Sequence, residues 1–279
     1  MRFSRVLRAG AVATAMGLAL AACGTGNDDG DSGGGGGGGG SESLTIGIKF
    51  DQPGLGQKTP SGYEGFDVDV ATYIAKELGV DAGNIEFVES PSAERENLIK
   101  RGDVDFIVAT YSITDKRKAE VDFAGPYFLA HQDLLVRKDE SSITGPKTLN
   151  GKKLCSVTGS TSAQKVKDDF ADKVQLQEYG GYSECISGLE SGAVDAITTD
   201  DTILAGLAAA NEGKFKLVGE GFSDENYGVG LKKGDTELRG KINTAIQKME
   251  DDGAWKTAVE KHLGPAGYET PEPPAITEK

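Results

Sequence analysis

Two series of alternating strand-like and helix-like segments run along this chain, and they limit its fold more than any other feature. The first series comprises predicted strands at residues 44–48, 85–88 and 104–108 and predicted helices at residues 66–78 and 93–101. The second begins at Lys153, with strands at 154–157, 174–179, 194–198 and 215–218 and helices at 162–172, 182–191 and 202–210. Repeated β-α-β units produce parallel sheets with right-handed crossovers. The sequence therefore predicts an α/β fold with two lobes.

Two extended segments, residues 131–137 and 224–231, connect the lobes and predict a two-strand hinge. A C-terminal helical stretch at residues 238–263 follows the second crossing. Residues 269–279 contain three prolines and little apolar content, which is typical of disorder. The predicted boundaries place lobe 1 at 44–134 plus 228–264, lobe 2 at 135–227 and a disordered tail at 265–279.

The N-terminus has the organisation of an export signal. Arg2, Arg5 and Arg8 precede an uncharged stretch at residues 9–22, which is too short to cross a bilayer core of about 30 Å. The stretch ends in Leu-Ala-Ala-Cys, which resembles a bacterial lipobox; the alternative is an ordinary signal peptide followed by an incidental cysteine. We therefore expect a signal peptide at 1–22, acylated Cys23, and a flexible Gly-rich tether at 23–43 that holds the chain at the outer face of the bacterial cell membrane.

Composition excludes several classes of function. The 279 residues carry a formal charge of −14, whereas a nucleic-acid-binding protein needs a basic face. Two histidines and three cysteines argue against a metal site or a metal cofactor. The sequence contains no HExxH or GxxxxGK[ST] motif, and GxSxG and GxGxxG occur only as chance matches within the Gly-rich tether, so most common enzyme signatures are absent.

Two long motifs carry a resemblance to a known family. They are GYEGFDVDVA at residues 62–71 and the stretch from Gly102 to Tyr127, which includes GDVD, SITDKRK and VDFAGPY. The chain resembles the polar amino-acid solute-binding proteins of ABC importers (extracellular solute-binding protein family 3), and most of all the glutamate-binding lipoproteins, over residues 44–264. This resemblance implies a type II periplasmic-binding-protein-like fold that closes around a ligand in its cleft. It also implies a monomeric receptor, without cofactor or enzymatic activity, that delivers an amino acid to ABC permease subunits.

The first lobe is expected to bind the α-carboxylate of the ligand. The resemblance assigns this role to Arg117, whose planar guanidinium suits bidentate carboxylate binding. Ser112 and the backbone of Thr110 follow a predicted strand and would add hydrogen bonds. The alternative is that Arg117 only belongs to a solvated basic helix start with Lys116 and Lys118.

The second lobe is expected to complete the amino-acid site. Ser160 and Thr161 lie between a strand and a helix, where free backbone N–H groups favour anions; the alternative role is helix capping, and both can hold together. The resemblance assigns the ligand ammonium to Asp200, although Asp201 is adjacent and could be confused with it.

Two further cations predict the side-chain specificity. Lys49 follows the first strand, and Arg95 matches an arginine that contacts the side-chain carboxylate in binders of acidic amino acids. Together they favour a dicarboxylic ligand, L-glutamate; the alternative is that both residues pair with surface acids. Gln52 and Tyr63 are candidates for the same wall of the cleft.

Two cysteines remain once Cys23 is acylated. In an exported chain Cys155 and Cys185 favour a disulfide, and the alternative is two buried free thiols. Three other functions stay open from sequence: a binder of aspartate, glutamine or asparagine, a cyclohexadienyl dehydratase-like enzyme on the same fold, and a ligand sensor that signals through another protein.

Overall fold

The computed structural model describes residues 43–279. The expected signal peptide, Cys23 and nearly all of the tether lie outside these residues. Within the described part of the chain, no helix has the length and apolar character needed to cross a membrane.

Strands and helices are numbered in chain order. The strands are β1 (Leu44–Ile48), β2 (Asp51–Gln52), β3 (Gly56–Thr59), β4 (Gly62–Glu64), β5 (Ile85–Glu89), β6 (Phe106–Ile107), β7 (Asp122–Arg137), β8 (Lys153–Val157), β9 (Gln175–Tyr179), β10 (Ala196–Asp200), β11 (Phe215–Leu217) and β12 (Asp224–Leu231). The helices are α1 (Phe66–Glu77), α2 (Arg95–Arg101), α3 (Asp115–Lys118), α4 (Ser162–Asp169), α5 (Tyr182–Ser191), α6 (Asp201–Ala210), α7 (Thr236–Asp251) and α8 (Ala254–His262). Short 3₁₀ turns occupy Ala82–Asn84, Pro146–Leu149 and Gly264–Ala266.

The predicted two-lobed α/β fold is confirmed. The long sheet has the strand order β5-β1-β6-β12-β7-β10-β8-β9, and β11 pairs with β7. Strand β1 is parallel to β5 and β6, and β8 is parallel to β9 and β10. We call the half built on β1, β5 and β6 lobe 1, and the half built on β8, β9 and β10 lobe 2. The alternating sequence pattern therefore appears as two parallel half-sheets, with the antiparallel strands β7 and β12 between them.

The connection between the lobes is a continuous strand. Strand β7 is 16 residues long and pairs with β12 as far as His131, which faces Asp224. From Gln132 onward it pairs with β10 instead, in the register Gln132 to Asp200. Of the two predicted crossing segments, residues 131–137 lie within β7 and residues 224–231 form β12. One strand thus belongs to both lobes and exchanges its partner between two consecutive residues.

The C-terminal region differs from the sequence expectation in two respects. The helical stretch at 238–263 is divided into α7 and α8 at Gly253, whose φ of 79° lies in the left-handed region. The segment at 265–279, expected to be disordered, packs against both lobes: the N–H groups of Thr277 and Glu278 donate to the carbonyl of Gly125 in lobe 1, Glu278 pairs with Lys118 at 3.0 Å, and the Tyr268 hydroxyl donates to Asp201 in lobe 2 at 3.1 Å. The acceptors for this segment lie far away in sequence, so its own composition could not indicate them.

A disulfide in lobe 2 and a small separate sheet in lobe 1 complete the fold. Cys155 on β8 and Cys185 on α5 form a disulfide with a Cα–Cα distance of 5.7 Å, and both are fully buried. The link ties the first strand of lobe 2 to the helix that follows β9. In lobe 1, the three short strands β2, β3 and β4 form a separate antiparallel sheet where the sequence indicated only a loop.

Candidate ligand-binding site

A small polar cavity lies between the lobes, near the carboxyl ends of their parallel strands. The lobes are nearly in contact around it, so the cavity is a narrow space lined mainly by polar side chains. Lobe 1 contributes Gln52, Ser92, Arg95, Thr110, Ser112 and Arg117, and lobe 2 contributes Ser160, Thr161, Tyr182, Thr199, Asp200 and Ile203. The structure thus brings together the sequence-predicted binding residues except Lys49 and Tyr63, and Lys49 lies behind Ser92, to which its Nζ donates. Such a position, outside the carboxyl ends of parallel strands, is where α/β proteins commonly bind ligands.

Arg117 is held at the junction of the two lobes. It lies in the single helical turn α3, where the Thr114 hydroxyl caps the helix by accepting from the Arg117 N–H at 3.2 Å. Its Nη1 donates to the carbonyl of Ser112 at 2.7 Å, and its Nη2 donates across the gap to the carbonyl of Gly159 at 3.0 Å. Glu96 is the nearest carboxylate, 3.6 Å from Nε. The guanidinium is buried rather than solvated, and its planar array of N–H donors suits a bidentate contact with an enclosed anion.

Thr110 has an unusual backbone conformation that is maintained by a buried carboxylate. Its φ of 45° makes it the one non-glycine residue with positive φ in the described chain, and such a value is strained for a β-branched side chain. Asp67 accepts from the Thr110 N–H at 3.0 Å and from the Tyr127 hydroxyl at 2.8 Å. The Thr110 hydroxyl then donates to Gln52 at 3.1 Å. Burial raises the pKa of Asp67 to about 6, so this carboxylate is ionised at neutral pH and can accept both hydrogen bonds.

Two buried cations, Lys49 and Arg95, lie at one end of the cavity. Lys49 Nζ donates to Ser92 Oγ at 3.2 Å, and Arg95 Nη1 donates to the carbonyl of Ala109 at 2.9 Å. Both residues are at most 3% exposed, and no carboxylate of residues 43–279 lies within 4 Å of either one. The Nε of Arg95 is buried and has no hydrogen-bond partner there. The structure therefore contradicts the alternative that Lys49 and Arg95 pair with surface acids.

The pKa values of these two groups reflect the cost of enclosing them together. Burial, followed by the charge of Arg95, lowers the pKa of Lys49 to about 8. Burial, followed by the charge of Arg117, lowers the pKa of Arg95 to about 10. Buried cations are stabilised when an anion joins them. This end of the cavity is therefore suited to a negatively charged group.

An acidic side chain, Asp200, lies on the lobe 2 side of the cavity. Asp200 ends β10 and accepts from the Tyr227 hydroxyl at 2.7 Å. Burial and the nearby carboxylate of Glu225 raise its pKa above the usual range. The adjacent Asp201 does not line the cavity, because its carboxylate accepts from the N–H groups of His131 and Thr202. Of the two consecutive acids, Asp200 is the one that faces the enclosed space and can bind a cation there.

The loop between β8 and α4 provides the other wall of lobe 2. The Ser162 N–H donates to Ser160 Oγ at 3.3 Å, and the Thr161 hydroxyl lies 3.4 Å from Glu225 Oε2. Ser160 thus contributes to capping the helix while also lining the cavity, as the two alternatives together allowed. Gly159 makes the loop fit against lobe 1, since a Cβ there would come within 2.7 Å of the Ala93 backbone.

Some of the lining was not predicted from the sequence. Gln52 lines the cavity but Tyr63 does not; the Tyr63 ring packs against Phe50 and Phe87 at centroid distances of 5.1 and 5.2 Å. The residues that sequence reasoning missed are Ser92, Tyr182, Thr199 and Ile203. Ser92 follows β5, so the rule about carboxyl ends of strands could have indicated it. Tyr182 and Ile203 have the pattern of ordinary core residues and give no such signal.

A two-lobed α/β chain with a charged cavity enclosed between its lobes defines the class of solute-binding proteins. Residues 44–265 match the family described as bacterial extracellular solute-binding proteins, family 3, and this chain belongs to that family. It is 50% identical over 233 residues to the glutamate-binding protein GluB of Corynebacterium glutamicum, covering 80% of this chain and 79% of that one. It is 39% identical over 224 residues to the ABC transporter glutamine-binding protein GlnH of Bacillus subtilis, with 80% and 81% covered.

Solved structures agree with this assignment. An ancestral arginine-binding protein bound to glutamine matches with a TM-score of 0.74 and 38% identity, over 80% of this chain and 98% of that one. A cysteine-binding protein from Campylobacter jejuni matches with a TM-score of 0.77 and 27% identity, over 85% and 96% of the two chains. Because its relatives at high identity are solute-binding proteins, this chain is a binding protein and not an enzyme.

Proposed function

We propose that this chain is a lipid-anchored receptor that binds L-glutamate and delivers it to an ABC importer. The observation that carries the proposal is the pair of buried cations, Lys49 and Arg95, at one end of a cavity that already holds one cation, Arg117, and one acid, Asp200. An α-amino acid brings one carboxylate and one ammonium. A second carboxylate on its side chain is what the extra cations require.

The proposed assignment follows from these charges. The ligand ammonium binds Asp200, and the α-carboxylate binds Arg117 with donors from Ser112 and from the Ser160–Thr161 loop. The side-chain carboxylate binds Arg95, with Lys49 acting directly or through its contact to Ser92. The similarity to a glutamate-binding protein supports this ligand. The similarity to glutamine-binding proteins keeps the amides and aspartate as the alternative ligands.

Binding is proposed to occur by closure of the lobes. The cavity residues Arg117 and Asp200 are 7% and 4% exposed, so a ligand can enter only when the lobes separate. Bonds across the gap, such as Arg117 to Gly159 and the Tyr182 N–H to Asp51 at 2.8 Å, form only when the lobes are together. The free energy of ligand binding then stabilises the closed form, which is the form presented to the permease.

The charge assignment is tested by removing each extra cation. In the Lys49→Met and Arg95→Met variants we expect glutamate affinity to fall at least tenfold and glutamine affinity less than threefold, because only glutamate has a carboxylate to lose. Titration calorimetry on purified protein, refolded to remove any carried ligand, measures both. Lys58→Met is the matched control, since Lys58 lies outside the cavity over the Phe50 ring. Equal losses for both ligands would show that the cations do not bind a side-chain carboxylate.

The pH dependence of selectivity provides a second test. The groups that act on Lys49 are Arg95, Asp51, Glu89 and Asp67. With pKa values of about 10 for Arg95 and 6 for Asp67, those two keep their charges between pH 7 and 9, whereas Lys49 titrates near 8. Because the cation is present below pH 8 and lost above it, the ratio of glutamate to glutamine affinity should fall by up to about tenfold from pH 7 to 9.

The ratio of glutamate to glutamine affinity removes the effect of every group that contacts only the α-carboxylate or the ammonium, because both ligands carry these two groups. The Lys49→Met variant should show a flat ratio over the same range. A slope that persists in that variant would assign the titration to another group and contradict the role of Lys49.

Closure is tested at Gly206 in α6. A Cβ at this position would overlap the carbonyl oxygen of Pro53 in lobe 1, where backbone cannot move aside. We expect Gly206→Ala to weaken glutamate and glutamine equally, by at least tenfold, without lowering the melting temperature of the ligand-free protein. Gly240→Ala is the control, because that helical glycine has no atom within 4 Å of its Cβ position. Unchanged affinity in Gly206→Ala would mean that the ligand binds without this contact.

Lipid anchoring is tested at Cys23. In a bacterial host, the chain should incorporate labelled palmitate and sediment with membranes, whereas Cys23→Ser should do neither, because the thiol is the acylation site. Thr25→Ser is the neighbouring control and should behave like the parent chain. Palmitate incorporation by the Cys23→Ser variant would contradict the anchor.

A further inference from the structure

We propose that Tyr111 is a positioning residue for the ligand-binding site, and that its ring is a shared surface that holds the guanidinium groups of Arg95 and Arg117. The inference rests on the proposed function for the identity of the ligand. It concerns a residue that lines no part of the cavity and therefore acts only through the two arginines.

The geometry places both cations against one ring. The Cζ of Arg95 lies 4.1 Å from the Tyr111 ring centroid, and the Cζ of Arg117 lies 5.0 Å from it. Both distances are within the roughly 6 Å over which an aromatic ring attracts a cation. Tyr111 is fully buried, so neither interaction is weakened by water. A single side chain thus contacts the two cations that the proposed function assigns to the two carboxylates of the ligand.

The ring stabilises two buried cations that lie close together. The two guanidiniums repel each other, and the charge of Arg117 contributes to lowering the pKa of Arg95. Arg95 has no carboxylate of residues 43–279 within 4 Å, and the nearest one to Arg117, Glu96, stands at 3.6 Å. An acidic side chain in the place of Tyr111 would neutralise the cations and compete with the ligand. A π-face attracts them without neutralising them, so both remain available to carboxylates.

The ring is itself fixed by its surroundings. Phe123 packs edge-on against it at a centroid distance of 4.8 Å. Gly230 on β12 lies beneath it, and a Cβ at Gly230 would come within 2.7 Å of a ring carbon. Strand β12 pairs with β7 up to His131, where β7 passes into lobe 2, so the ring is packed against the strand next to this crossing. Chain neighbours extend this arrangement, because Thr110 and Ser112 on either side of Tyr111 both line the cavity.

The experiment compares a variant that keeps the ring with two that remove it. Tyr111→Phe should bind glutamate and glutamine within threefold of the parent chain. Tyr111→Leu and Tyr111→Met keep apolar bulk but have no π-face. We expect each to lose glutamate affinity at least tenfold and glutamine affinity less, because glutamine does not use Arg95 as a carboxylate partner. Titration calorimetry measures both affinities, and thermal unfolding of the ligand-free proteins shows which variants are folded.

A double-mutant comparison separates positioning from packing. In an Arg95→Met background, the step from Tyr111 to Leu should cost clearly less glutamate affinity than it costs in the parent chain. A purely structural role would lower the melting temperature while leaving the ratio of glutamate to glutamine affinity unchanged. That outcome, or a loss in Tyr111→Phe as large as in Tyr111→Leu, would overturn the proposal.

The same data distinguish this inference from the proposed function. If the parent chain binds another amino acid more tightly than glutamate, the proposed ligand is wrong. The contrast between Phe and Leu at position 111, measured with the amino acid that does bind, then still tests the shared ring through Arg117, which contacts the α-carboxylate of any amino acid.

Discussion

The antiparallel pairing of β7 with β12 is the interaction on which the rest of the structure depends. Strand β7 belongs to both lobes, and it exchanges β12 for β10 between His131 and Gln132. The carboxyl ends of the parallel strands of both lobes consequently face one gap. Strand β12 also takes part in the site, because Tyr227 donates to Asp200 and Gly230 supports the Tyr111 ring. The strands that connect the lobes therefore position the charges between them.

The separation of buried charge within that gap defines what the protein can bind. Asp200 lies on one side, whereas Arg117, Arg95 and Lys49 are distributed over the other. Lys49, Arg95 and Asp200 are costly to bury without a partner, and the lowered pKa values of the two cations and the raised pKa of Asp200 express that cost. A zwitterion with an additional carboxylate would compensate all of them together. Because three buried cations lie near one buried acid, a chain with a formal charge of −14 can still enclose an electropositive site.

Strain at the site is balanced by hydrogen bonds that come from a distant part of the chain. Thr110 adopts a φ of 45°, which a β-branched residue avoids in isolation. The buried carboxylate of Asp67, at the start of α1, accepts the Thr110 N–H and is itself oriented by Tyr127. The GFDVD motif at residues 65–69 thus contributes to the site without entering the cavity. The family motif contains Asp67, but the sequence alone does not show which backbone group this carboxylate binds.

The sequence by itself determined the two α/β lobes and most of the cavity residues. Helical and strand periodicities are local properties, and Thr110 and Ser160 follow strands and lie at predictable sheet edges, whereas Arg117 and Asp200 were indicated by the family resemblance. Only the tertiary structure decided that two arginines contact the Tyr111 ring, that Lys49 donates to Ser92, and that residues 265–279 pack against the lobes. These contacts join segments far apart in sequence. They are set by the packing of whole elements, which no local pattern encodes.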